Sequence, residues 1–138
     1  LHGLSAYRGK INFIFGDTIN FFRRHLRTDM DYLDVAFSAS LAVGDISFAC
    51  YSCNHIIANL LVLGDPLDAV YRESERRLEF THRVNFDASY QAIFAMQRFI
   101  CNLRGQTNSF SSFSDANFNE HLYAAPMNSY GERIGRCG

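Results

Sequence analysis

Two cysteines are the residues best able to do chemistry in this chain. Cys50 and Cys53 form a C-x-x-C pattern, with His55 two positions further along. Two thiolates at this spacing can supply half of a tetrahedral zinc site, or a redox pair when they lie at a helix N-terminus after a strand. The other two cysteines, Cys101 and Cys137, are solitary. The second half of a zinc site is therefore missing from the pattern.

The surrounding sequence favours a structural role for these thiols. The C-x-x-C pattern begins one turn inside a predicted helix, and no strand signal precedes it. Residues three apart on a helix are neighbours, at about 300°, whereas His55 lies about 200° from Cys53 and faces away. Small buried thiols at a close helix contact fit this arrangement. We predict no metal ligands here; a metal or redox sensor that uses Cys50 and Cys53 is the alternative.

Basic residues raise the question of a nucleic-acid partner. Arg23, Arg24 and Arg27 follow a pair of aromatic residues, Phe21 and Phe22, and such a combination can bind phosphate or nucleic acid. The chain has a net charge of −1, however, and one short cluster is typical of a solvated helix end. We predict no nucleic-acid partner.

The remaining motif searches nominate no catalytic residue. The five histidines form neither H-x-x-x-H nor H-E-x-x-H, and no glycine-rich phosphate loop occurs. The sequence therefore predicts no catalytic residue and no cofactor in this segment. No apolar stretch reaches the ~18 residues of a membrane span, and no signal peptide is visible. We expect a cytoplasmic segment without membrane contact, excised from a longer protein because its first residue is Leu1.

Glycine–aspartate pairs predict where helices meet. Gly44-Asp45 and Gly64-Asp65 each lie between two apolar runs. Glycine suits the left-handed position that ends a helix, and aspartate can cap the next helix through its side chain. Joints this short force neighbouring helices to pack antiparallel.

Helical periodicity predicts five helices. We expect helices over residues 5–15, from Asp29 or Asp31 to 43, over 46–63, from Pro66 at the first helical position, and from an Asp87 cap to 103. The predicted inward residues are Tyr32, Ala36, Phe37, Leu41, Ala49, Cys53, Ile56, Ile57, Leu60, Leu61, Leu67, Val70, Tyr71, Ser74, Leu78, Thr81, Tyr90, Ile93, Phe94, Gln97, Ile100 and Leu103. The predicted solvated face comprises Arg72, Glu73, Glu75, Arg76 and Glu79, with Glu73 and Arg77 as an i,i+4 ion pair.

The spacing of helix ends predicts a repeat architecture. The ends at Gly64 and Gly105 lie about forty residues apart, which is the length of a helix pair in solenoid arrays. We predict an all-α fold in which antiparallel helix pairs form a tetratricopeptide-like α-solenoid fragment over residues 1–105. Residues 106–126 are predicted as a Ser/Asn/Phe-rich loop, with Phe110 and Phe113 tucked under a helix and a short helix over 115–123. Residues 127–138 are predicted as a disordered or truncated tail.

Three motifs carry a resemblance to a known family. They are the run GDISFACYSCNH at 44–55, GDPLDAV at 64–70 and NLRG at 102–105. Together they resemble the helical, tetratricopeptide-like segment of large bacterial signalling proteins. Those proteins join a serine/threonine kinase-like domain, an AAA-type ATPase, a helical array, a GAF domain and a sensor histidine kinase. The resemblance covers residues 29–122, and the sequence departs from the family pattern after Met127.

The resemblance implies a non-catalytic interaction or relay module. It implies that ATP and Mg²⁺ are bound in other domains of a parent protein kinase, and that the partners are neighbouring domains of the same chain or a peptide. A stack of helix pairs offers a binding surface. From the sequence we expect that surface on exposed positions of the helix that contains Ala49 and Cys53 and of the helix that contains Tyr90 and Phe94.

Overall fold

The predicted all-helical architecture is confirmed. A computed structural model describes residues 2–20 and 25–123, with side chains from residue 7 onwards. Within these residues no β-strand occurs, and an isolated bridge joins Ser109 to Ser112. The α-helices are α1 (His2–Ile14), α2 (Arg27–Ala42), α3 (Ile46–Val62), α4 (Leu67–Arg83) and α5 (Asp87–Leu103), with a π-helical turn over Phe15–Ile19 after α1.

The helix joints form for the predicted reason. The joints end in glycines with positive φ: 74° at Gly44, 72° at Gly64 and 69° at Gly105. These values lie in the left-handed region, which residues with a Cβ atom rarely adopt. The carboxylate of Asp45 caps α3 by accepting a hydrogen bond from the Phe48 amide at 3.4 Å. The first glycine–aspartate pair therefore ends one helix and starts the next.

The second pair departs from the prediction. Pro66 lies one residue before α4 rather than at its first helical position, and its carbonyl oxygen accepts from the Ala69 and Val70 amides. Asp65 is then too far out to cap the helix, and its carboxylate binds the Arg27 guanidinium at 2.6 and 3.0 Å instead. This ion pair lowers the pKa of Asp65. Asp87, also predicted as a cap, is the first residue of α5.

The chain divides into two compact units, Leu1–Gln97 and Arg98–Gly138, at a point within α5. In the first unit α2 packs between α1 and α3, α3 packs on α4, and α1 also contacts α3. The rings of Phe37 on α2 and Phe80 on α4 meet edge to face, with centroids 5.2 Å apart. Each helix from α1 to α4 thus packs against its neighbour in sequence, and the further contacts of α1 with α3 and of α2 with α4 are those expected for consecutive helix pairs.

Helix α3 supplies most of the core of the first unit. Its side chains are buried on more than one face because α1, α2 and α4 all contact it. The fully buried apolar positions of the first unit are Leu33, Ala36, Ala49, Cys50, Cys53, Ile56, Ile57, Val70 and Ile93. Most of these positions were predicted from the 3.6-residue period. Leu33 was not, and Leu41 is exposed although predicted inward, because the buried stripe of α2 runs through Leu33, Ala36 and Ser40.

Polar contacts organise the second unit. The side-chain amide nitrogen of Asn102, 5% exposed, lies 2.9 Å from the Thr107 hydroxyl and 3.0–3.2 Å from the carbonyl oxygens of Ser109, Phe110 and Ser112, four acceptors that share its two N–H groups. The predicted burial of Phe110 and Phe113 is wrong: Phe110 is 83% exposed and Phe113 is also exposed. The loop therefore folds around an amide rather than around its aromatic rings.

Two further predictions for the second unit need correction. Leu103, predicted inward, is exposed in the last turn of α5. The predicted helix over 115–123 begins only at residue 120. Asp115 instead forms a turn, because its carboxylate accepts from the Asn117 and Phe118 amides at 2.7 and 2.9 Å. The tail at 127–138 lies outside the described residues, and the predicted domain boundaries stay predictions.

Candidate interaction groove

The C-x-x-C cysteines lie in the core, away from solvent. Cys50 and Cys53 are both fully buried on α3, and both are free thiols. Burial, together with the neighbouring Cys53 sulfur, raises the pKa of Cys50 to about 11. Burial also raises the pKa of Cys53, although the Arg77 guanidinium opposes this shift. Both sulfurs are therefore protonated near neutral pH, whereas metal binding and thiol exchange need the thiolate.

His55 makes its contacts elsewhere. Its Nδ1 lies 2.6 Å from the Asp17 carboxylate in the π-helical turn, and its ring meets the Phe13 ring edge to face at 5.0 Å. Within residues 2–20 and 25–123, no three His, Cys, Asp or Glu side chains are grouped so that they could hold a metal ion. Cys101 is buried on α5, and Cys137 lies outside the described part of the chain. The metal or redox alternative at Cys50 and Cys53 gains no support.

The basic cluster is only partly described. Arg23 and Arg24 lie outside the described residues, as do Phe21 and Phe22. Arg27 is occupied by its ion pair with Asp65, which links the start of α2 to the joint between α3 and α4. The described part of the cluster therefore has a structural contact.

An open groove lies where α2, α3 and α4 meet. Its volume is about 450 Å³, within the size range of small-ligand and peptide side-chain pockets. Ile56 and Leu60 of α3 contribute its apolar lining, together with Val70 of α4. The other lining residues are Met30, Asp34, Asp65, Ala69, Glu73, Arg76 and Arg77. The lining thus combines apolar side chains with carboxylate and guanidinium groups, so it can offer both kinds of contact to a ligand.

Arg77 ties the three helices together beside this groove. Its Nε donates to the Glu73 carboxylate at 2.7 Å, one turn earlier on α4. Its guanidinium lies 3.8 Å from the Cys53 sulfur on α3 and 3.8 Å from the Asp34 carboxylate on α2. The guanidinium carbon also lies over the Phe37 ring of α2, 4.7 Å from its centroid. One side chain therefore couples the positions of α2, α3 and α4.

The predicted Glu73–Arg77 pair is confirmed, but its setting differs from the prediction. Both side chains are mostly buried, so Glu73 does not belong to the solvated face of α4. Arg76, by contrast, is 77% exposed as predicted, and it also binds Glu73. Across the groove, partial burial raises the pKa of Asp34 against the opposing effect of Arg77. The groove thus presents three charged groups: the mostly buried Arg77 guanidinium, the exposed Arg76 side chain at its rim, and the Asp34 carboxylate, which lies 3.8 Å from Arg77.

The sequence favours exposed positions of α3 and α5 for the interaction surface, and that expectation stays a prediction. The two residues that identify the α3 helix there, Ala49 and Cys53, are themselves fully buried. The groove is lined by α2 and α4, with α3 at its floor. The only sequence signal for this site was the i,i+4 spacing of Glu73 and Arg77. Nothing local in the sequence shows that α2 supplies Asp34 and Phe37 to the same place.

Comparison with known proteins gives one informative similarity. Over 98 residues, or 71% of its length, the chain is 30% identical to hybrid signal transduction histidine kinase G of Dictyostelium discoideum. The aligned region is 3% of that protein. No protein-family model matches the chain, and no solved structure matches it. None of the described helices is both long and apolar enough to cross a membrane. The chain is thus an all-helical segment similar to a small part of a signal-transduction histidine kinase.

Proposed function

We propose that this chain is a non-catalytic interaction and relay module of a signal-transduction kinase, and that the groove between α2 and α4 binds a segment of a neighbouring domain. The observation that carries the proposal is the Arg77 network, which joins three helices beside an open, charged groove. The similarity to a histidine kinase segment supports the signalling context.

The groove chemistry favours a peptide with an acidic side chain next to an apolar one. Arg76 is exposed and shares Glu73 with Arg77, so it can turn toward a partner carboxylate without leaving Glu73 unpaired. The partly exposed Leu60 and Met30 side chains, with the exposed Ala69, offer an apolar contact for the neighbouring residue of the peptide. A charge-assisted pair beside an apolar anchor is a common way to combine specificity with affinity.

The same network provides a route for relay. A partner carboxylate that drew the Arg76 or Arg77 guanidinium toward it would change the Arg77 contacts to Asp34 and Phe37 on α2 and to Cys53 on α3. Ligand binding can shift a helix array only through contacts that differ between its two states, and Arg77 supplies such contacts.

The finer identity of the parent protein belongs to this proposal as well. We propose a cytoplasmic bacterial kinase in which a serine/threonine kinase-like domain, an AAA-type ATPase and a sensor histidine kinase flank the module, and in which ATP and Mg²⁺ bind those domains. The family motifs at 44–55, 64–70 and 102–105 support this assignment. The relative from Dictyostelium lends support to the histidine kinase part alone.

A binding experiment with matched charge reversals tests the proposal. The purified chain is immobilised, and the flanking domains of the parent protein are passed over it. Arg76→Glu should weaken binding at least tenfold, because it places a second carboxylate beside Glu73 at the rim. Arg83→Glu, at the exposed end of α4, is the control and should bind like the wild type. Equal binding by both variants, or no binding by the wild type, would overturn the proposal.

A further inference from the structure

Helix α1 presents two very different faces. On one face Gly9 is buried against α2, and a Cβ placed there would lie 2.1 Å from the Ser40 hydroxyl and 3.0 Å from the Ser40 amide nitrogen. A Cβ placed on Gly16, seven residues later in the π-helical turn, would lie 2.9 Å from the Tyr32 Cβ of α2. Seven residues are about two helical turns, so both glycines lie on the side of this segment that packs against α2.

The opposite face is apolar and exposed. Tyr7 and Ile11 are each 58% exposed, and Ile14 is 49% exposed. At 100° per residue these three side chains lie about 140–200° around the helix from Gly9, which puts them on the far side from α2. Their spacing of four and then three residues is the pattern by which one helix packs along another.

An exposed apolar face is unfavourable on the terminal helix of a helical array. Terminal helices of such arrays carry polar outer faces, because an exposed apolar stripe favours aggregation. We infer that the stripe of Tyr7, Ile11 and Ile14 is the docking surface for a further α-helix of the same polypeptide, located before α1. This inference rests on the proposed role of the chain as part of a larger helical array.

The size of the stripe argues against a second copy of the chain as its occupant. Stable complexes between separate proteins use about 20–30 residues on each side, whereas the part of this face whose side chains are described, from residue 7 onwards, offers three exposed apolar side chains. A helix joined to α1 by a short connection needs no such area, because the connection supplies a high effective concentration. The matched histidine kinase also extends far beyond the aligned region, so related segments lie within longer chains.

Hydrogen exchange on two forms of the protein tests the inference. One form is the 138-residue chain, and the other adds about forty residues of the natural protein ahead of Leu1, the length of a helix pair. The added residues should slow exchange of the α1 amides by about tenfold or more, because docking protects the helix from opening. Ile11→Ser should abolish this protection in the longer form and leave the 138-residue chain unchanged. Val62→Ser, at an exposed apolar position of α3, is the control and should change neither form.

Three results would overturn the inference. The first is equal exchange of α1 in the two forms. The second is a natural protein with no helix-forming sequence ahead of Leu1. The third is a dimer of the 138-residue chain in sedimentation that Ile11→Ser dissociates, which would identify a second copy as the occupant. Because exchange at α1 does not depend on ligand binding between α2 and α4, this test can fail while the groove proposal stands, and the reverse is also possible.

Discussion

The two units of this chain are stabilised by different interactions. In the first unit, apolar side chains of α2, α3 and α4 fill the core, and Arg77 adds contacts among all three helices. In the second unit, the loop after α5 is held by hydrogen bonds from Asn102, while the Phe110 ring lies in solvent. The comparison teaches that apolar residue type predicts burial only where helical periodicity also directs the side chain toward a neighbour.

The largest effect should come from truncating the apolar core of the first unit. Ile57→Ala removes a fully buried side chain of α3 and should lower the free energy of unfolding by about 2–5 kcal/mol. Val62→Ala, on the same helix but exposed, should change it by less than about 0.5 kcal/mol. Urea denaturation followed by circular dichroism measures both. Similar losses for the two variants would mean that the buried face of α3 is assigned incorrectly.

A smaller and local effect should follow from Asn102→Ala. The substitution leaves the carbonyl oxygens of Ser109 and Ser112 without their shared donor and should cost the loop about 1–3 kcal/mol. Amide exchange over residues 106–118 should speed up by tenfold or more, while α3 keeps its protection. Phe110→Ala is the control and should leave the loop unchanged. Faster exchange in the Phe110 variant would show that the ring does stabilise the loop.

Alkaline pH should weaken the first unit through Cys50. The pKa of this thiol is raised from 9.0 to about 11, so folding favours the protonated form. The resulting stability is present below pH 9 and is lost as the pH rises from 9 to about 11, where the folded protein also loses the proton. Thermal unfolding at a series of pH values measures the decline. Cys50→Ala should reduce it, and the raised pKa of Cys53 should account for part of what remains. An unchanged decline in that variant would assign the effect to another group.

Acidic pH should act on the second unit. The pKa of Asp115 is lowered by its hydrogen bonds with the Asn117 amide and Arg98, and that of Glu120 by its hydrogen bonds with the Phe113 amide and Ser112. Because these pKa values are lowered, the two carboxylates stabilise the loop above their ordinary pKa values, which are 3.8 for Asp115 and 4.5 for Glu120. This stabilisation is lost as the pH falls through the lowered pKa values. Exchange over residues 112–120 should therefore speed up below about pH 4.

The control for the acid effect is Glu120→Gln. Its amide oxygen can still accept from the Phe113 amide but does not titrate in this range, so the variant should lose part of the pH dependence. A loop that opens identically in both proteins would show that ionisation of Glu120 does not control it.

Local signals in the sequence predicted the helices well. Gly44, Gly64 and Gly105 end helices as expected, and Asp45 caps α3. Local signals failed where a long-range partner competed, as at Asp65, which binds Arg27 from 38 positions earlier in the chain instead of capping α4. They also failed at Phe110. The Asn102 side chain holds this loop by hydrogen bonds to backbone carbonyl oxygens of the loop, and such bonds leave no apolar pattern in the sequence.

The candidate groove was harder to predict than the helices. The Glu73–Arg77 spacing is visible in the sequence, but the contributions of Asp34 and Phe37 depend on how α2 packs against α4. The contacts that show this packing, of the Phe37 ring with Phe80 and with Arg77, join residues about forty positions apart in the chain. The 3.6-residue spacing of apolar residues shows which face of a helix is buried, but it does not specify where a second helix crosses that face.

The most direct test of the proposed binding role is a hydrogen-exchange footprint of the 138-residue chain with and without the flanking domains of the proposed parent kinase. Binding in the groove should slow exchange in α2 around Asp34 and in α4 around Arg76 by about tenfold, and leave the loop at 106–118 unchanged. Protection confined to residues 106–118, or no protection anywhere in the chain, would contradict the assignment of the groove between α2 and α4 as the interaction site.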